Sequence, residues 1–187
     1  MLKDSIANHP VVHSREIRLS TFPHDADSII VRGELLDTRH VPIVDVLGRA
    51  KSPGTVHHIC VYLLVESGPL RIVRAEAEMH AVPSDQCRET LDVLEKVAGL
   101  EIRPGFSRNV RSLVGGTEGC THLCTLVKAM GTEIVHGWMT RTRNRSPDRS
   151  IPPDAQKDYL VDSCRLWKKD GPKYREMAAA IQSRDTE

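Results

Sequence analysis

Near residue 80 the hydrophobic period of the chain changes from two to roughly three and a half. Before that point apolar and polar side chains alternate. Ile17 and Leu19 interleave with Arg18 and Ser20 over residues 16–21, and residues 28–36 bring the β-branched Ile29, Ile30 and Val31. The run at residues 56–65 is the clearest. After Ser67-Gly68-Pro69, residues 70–79 set Leu70, Ile72, Ala75 and Ala77 against Arg71, Arg74, Glu76 and Glu78. Period two is the pattern of half-buried strands, and two such runs across a short Gly-Pro turn read as a hairpin. Pairing about that turn makes residues near 57 and 78 cross-strand neighbours. A histidine, a glutamate and Cys87 then share one end of the sheet.

Beyond residue 80 the spacing is helical. Residues 84–98 place Cys87, Leu91, Leu94 and Ala98 on one stripe, with Gly99 as the stop. A shorter helix fits residues 106–114 and ends at Gly115-Gly116. Residues 117–139 form the longest periodic stretch, with Cys120, Leu123, Val127, Met130 and Ile134 in line. Strands first and helices later predict an α+β fold, an N-terminal antiparallel sheet packed by C-terminal helices. Residues 1–14 read as a flexible leader, 15–140 as the α+β domain, and the Pro- and Arg-rich residues 141–154 as a linker. Residues 155–187 read as a mostly helical extension packing on the same domain.

Composition narrows the class. Aromatics are only 4% of the 187 residues, so the core is expected to be aliphatic. Lys and Arg number 26 against 25 Asp and Glu, a balance that gives no support for nucleic-acid binding. No apolar run approaches the 18 or so residues of a membrane helix, and the first residues lack the apolar segment of a secretory signal. The five cysteines form no compact disulfide framework. The expectation is a cytoplasmic protein with thiols and a small-molecule ligand.

Chemistry is expected where cysteine and histidine gather. Ser84-Asp85-Gln86-Cys87 and Thr117-Glu118-Gly119-Cys120 repeat one pattern, a hydroxyl N-cap followed by a cysteine in the first helical turn. The helix dipole there favours thiolate, although a cysteine on an apolar stripe is equally a small core residue. His122 follows Cys120 by two, and in a regular helix it projects about 160° away. Cys124 shares the face of Cys120. His57 and His58 open the best strand and point to opposite faces; His80 closes the next one. Asp37 reads as an ion-pairing residue, and Arg39, Arg18 and Arg32 read as surface ion pairs or as anchors for a carboxylate ligand. Cys164 is a further thiol.

Residues Gly115-Gly116-Thr117-Glu118-Gly119-Cys120-Thr121-His122-Leu123 resemble the most distinctive segment of the family of unknown function 2889, with Gly-Cys-Thr-His-Leu at its centre. The Gly33 to Asp37 segment, His57 before an apolar strand, Cys87 after Pro83, Gly105-Phe106 and Asp162-Ser163-Cys164 agree in order, so the resemblance covers residues 13 to 172. Where that family often has an acidic residue after the strand histidine, this chain has His58. The resemblance implies a bacterial protein often accompanied by catabolic genes. The layout is also similar, at fold level, to iron–sulfur scaffold proteins of the NifU type.

Three functions follow as expectations. The first is a zinc or iron protein, possessing or lacking enzymatic activity, with metal held by Cys87, Cys120, His122 and Cys164. The second is a metal-free enzyme using Cys120, His122 and His57. The third is a non-catalytic binding or assembly protein of the scaffold type.

Overall fold

The computed structural model describes residues 1–143 and 159–184. Two compact units divide the chain, Met1–Ile134 and Val135–Glu187.

The first unit is built on a four-stranded antiparallel sheet. Its strands are β1 (His13–Pro23), β2 (Ser28–Arg39), β5 (Gly54–Glu66) and β6 (Arg71–Ala81), hydrogen-bonded in that order. A small ribbon, β3 (Ile43–Val44) with β4 (Ala50–Lys51), interrupts the path from β2 to β5. A one-turn helix α1 (Leu2–Ser5) precedes β1 within the expected leader. Alternation sorts the side chains. On β2 the odd-numbered Ile29, Val31, Leu35 and Asp37 are buried, and on β5 so are Ile59, Val61, Leu63 and Val65. Those faces form one side of the sheet, where the helices pack.

The helical half begins with a 3-10 helix at Asp85–Val97, continues with α2 (Phe106–Val114), and leads through a 3-10 turn at Gly116–Glu118 into α3 (Thr121–Arg143). Between them, Gly99 and Ile102 donate backbone bonds to Ile72 and Leu70, tying the chain to the start of β6. Helix α3 crosses β2 at Gly33. A Cβ there would lie 2.8 Å from Met130 Sδ and 3.0 Å from a Leu126 methyl, so the close approach depends on glycine. Gly131 likewise admits the Phe106 ring from α2. The core is aliphatic, as the composition requires: Leu94, Val97, Val110, Val114, Leu123, Leu126 and Met130 are buried.

Several local expectations are corrected. Residues 84–98 form a 3-10 helix, and Ser84 makes no side-chain cap bond. Leu91, Leu94 and Val97 recur every three residues, the 3-10 repeat, which a short apolar stripe hardly separates from the α repeat. The second cap pattern fails as well. Thr117 lies in the Gly116–Glu118 turn, and Cys120 stands just before α3, accepting the Cys124 amide at 2.9 Å. Gly116 has φ +72°, and a Cβ on Gly119 would overlap the Val114 carbonyl oxygen. The chain therefore doubles back here instead of starting a helix. The hairpin register also differs: Cys60, not residue 57, opposes Glu78, and His58 opposes Ala81. The turn is centred between Glu66 and Arg71, and bulges at Leu64/Val65 and His58/Ile59 each add a residue to β6.

The second unit contains the end of α3, a 3-10 turn at Arg165–Trp167 and α4 (Pro172–Arg184). The Asp162 carboxylate accepts the Lys169 amide at 2.8 Å. The expected linker falls largely outside the described residues. No described helix is long and apolar enough to cross a membrane.

Candidate metal centre

One row of side chains crosses the sheet on its helix-covered face. Arg15 on β1 opposes Asp37 on β2, and Asp37 opposes His57 on β5. Cross-strand partners on one face stand within side-chain reach, and these three bond in sequence. Arg15 Nε and Nη2 donate to Asp37 Oδ1 and Oδ2 at 2.6 and 2.7 Å, a bidentate charge-assisted pair. His57 Nδ1 lies 3.0 Å from Oδ2. The β2–β5 register shifts just past this pair, between Asp37 and Thr38, and bulges commonly re-aim side chains at such places.

His122 completes the group from above the sheet. It is the second residue of α3, and its Nε2 lies 3.6 Å from Asp37 Oδ2. Its ring stacks on His57 with centroids 3.7 Å apart and planes tilted by 31°. The Gly115–Gly119 turn sets this position, because the Cys120 amide bonds back to Val114 O at 2.8 Å and fixes where α3 begins. Side-chain exposure is 2% for Asp37, 13% for His57 and 23% for His122. One donor atom from each of Asp37, His57 and His122 falls within 4.8 Å of the other two.

Electrostatics define the resting charges. The Arg15 guanidinium, helped by His57, holds the Asp37 carboxyl below the ordinary carboxylate range, against the opposing effect of burial. Burial, reinforced by the nearby His57 and Arg15, pushes the His122 imidazole down. The site thus presents an ionised carboxylate beside an imidazole that favours its neutral form, and neutral imidazole with carboxylate is a ligand set for first-row metals. Arg15 acts from behind, orienting the carboxylate as outer partners of metal ligands do.

The residues expected to carry chemistry are distributed unevenly. His57 and His122 meet. Among the described residues, Cys87, Cys120 and Cys164 join no cluster of metal-ligating side chains. Cys87 is half-buried on the 3-10 helix, Cys120 half-buried before α3, and Cys164 exposed in the second unit. Backbone amides of Trp167 and Leu166 lower the Cys164 thiol from its usual value. Arg15 was not singled out by sequence, and Asp37 only as a generic ion-pairing residue. Parity puts Arg15 with Ile17 and Leu19, and Asp37 with Ile29, Val31 and Leu35, but only the strand register brings the two together.

A family model described as Protein of unknown function (DUF2889) matches residues 13–136. The chain belongs to that family. The match begins with β1 and runs into α3, so it contains Arg15, Asp37, His57 and His122 and leaves out Cys164. No curated protein and no solved structure matches the chain.

Proposed function

We propose that this protein binds a divalent zinc or ferrous ion through Asp37, His57 and His122, with Arg15 as the group that orients the carboxylate. The observation that carries the reading is the convergence of one carboxylate and two imidazoles from β2, β5 and α3 on one half-enclosed point. Two histidines and a carboxylate leave coordination positions for water or substrate, the ligand set of non-haem ferrous oxygenases and of many zinc hydrolases. A small-molecule substrate accords with the catabolic setting that the family resemblance implies. Coordination through these atoms would open the His57 Nδ1–Asp37 Oδ2 hydrogen bond and release its proton to solvent.

One observation favours a second reading. Both Asp37 oxygens already accept from Arg15, and an Asp fixed in this way orients His57 as a metal-free acid or base. This keeps the histidines of the expected metal-free enzyme and drops its cysteine. Anaerobic calorimetric titration of chelator-treated protein with zinc and with ferrous iron separates the two. The metal reading expects saturable binding that weakens at least about a hundredfold in His122→Ala, the upper range for loss of a coordinating group's support. Equal binding by wild type and His122→Ala leaves the acid–base reading in place.

A further inference from the structure

The opposite face of the sheet carries a second constellation, independent of the Asp37 site. Because β5 alternates, His58 and Cys60 point away from the helices while His57 points toward them. Glu34 on β2 and Glu78 on β6 are the cross-strand partners of Cys60 on either side. The β5–β6 register shifts at His58/Ile59, where Ala81 opposes His58 and Met79 opposes Ile59, leaving His80 as the extra residue. His80 shares the parity of Glu78, and its ring centroid lies 4.8 Å from that of His58.

We infer that His58, Cys60 and His80, with Glu34 beside His58, form a zinc site on the sheet face opposite His57. A ring nitrogen of each histidine and the Cys60 sulfur lie within 4.8 Å of one another. His58 Nε2 is 2.8 Å from Glu34 Oε1, and His80 Nε2 is 3.4 Å from Glu78 Oε2. Carboxylates thus stand against both imidazoles, either filling the fourth position or fixing the ligating tautomer. Cys60 is 1% exposed, and Arg32 Nη2 lies 3.6 Å from its sulfur. Arg32 also pairs with Glu34 at 3.3 Å.

The donor set suits zinc. One thiolate with two imidazoles and a carboxylate is a tetrahedral zinc set, softer than the Asp37 site, which contains no sulfur. The difference also makes the two sites separable by spectroscopy. Cobalt(II) replaces zinc in such sites and reports bound thiolate through a sulfur-to-cobalt charge-transfer band in the near ultraviolet. Reduced, chelator-treated full-length protein is titrated with cobalt(II) chloride and then with zinc chloride. The expected result is a band that saturates near one equivalent, is discharged by zinc, disappears in Cys60→Ser, and survives in the His57→Ala/His122→Ala double variant. Should Cys60→Ser not fold, as judged by circular dichroism, His80→Ala replaces a half-exposed residue and is expected to weaken the banded complex at least about tenfold. A wild-type protein without the band, a band that persists in Cys60→Ser, a band lost in the double variant, or unchanged affinity in His80→Ala would each overturn the assignment.

Discussion

Asp37 is the residue on which most of the site depends. It is buried, ionised, and held between Arg15 and His57. A charge in that position is tolerated because its partner is present, and removal of one partner of a buried pair typically costs about 3–5 kcal/mol. Arg15 is 39% exposed, so water recovers part of that loss; Arg15→Ala is expected to destabilise the protein by about 2 kcal/mol, read from urea unfolding at neutral pH. The pH dependence has a definite sign. Arg15 lowers the folded-state value of Asp37, so the pair's contribution is complete above the unfolded carboxyl value, about 3.9. It is lost as pH falls below that value through the lower folded one. The gap between wild type and Arg15→Ala therefore narrows below about pH 4. A gap independent of pH would mean that Arg15 contributes packing instead of charge. At this scale the sequence was a partial guide. His57 and His122 stood out by residue type, whereas Asp37 and Arg15 gain meaning only when strand register places them in one row.

At the scale of elements, the turn from α2 to α3 decides whether His122 reaches the sheet. Gly116 occupies left-handed backbone, and Gly119 is pressed against the Val114 carbonyl. Gly119→Ala must displace that carbonyl or the start of α3, at a cost of about 3 kcal/mol, the upper part of the range for overpacking. The shift moves His122 as well. Zinc affinity is expected to fall with stability in Gly119→Ala. Undiminished zinc binding in Gly119→Ala would show that the turn does not position His122. The Gly-rich segment was visible in sequence as the break that ends the helix at residues 106–114. Its function as a stop that sets the first residue of α3 was not, because the decisive contact is steric and lies with a carbonyl in the preceding helix. For the same reason the paired N-cap reading misled: Thr117 has the right residue type but lies in the 3-10 turn, and Cys120 precedes the first residue of α3 instead of entering its first turn.

For the whole molecule, the change of period near residue 80 carried the architecture. Strand alternation over residues 28–36 and 56–65 gave a sheet with one apolar face, and the later stripes supplied the helices that cover it. What alternation could not give was the count of residues through the hairpin. Each bulge shifts the partner by one: the first, at Leu64/Val65, brings Glu78 opposite Cys60, and the second, at His58/Ile59, makes Ala81 the partner of His58 and leaves His80 as the extra residue. The sheet thereby presents metal-ligating side chains on both sides, with His57 and His58 adjacent in the chain and opposed in space. Cysteine, the residue type that drew attention in sequence, enters the proposed chemistry only through Cys60, which lies in the middle of an apolar strand and reads there as core.

The most direct test of the Asp37 centre is elemental analysis of the freshly purified, anaerobically handled protein beside the His57→Ala/His122→Ala double variant. The account predicts about one equivalent more of zinc or iron in the wild type than in the variant. Equal metal content in the two proteins, with both folded, would contradict it.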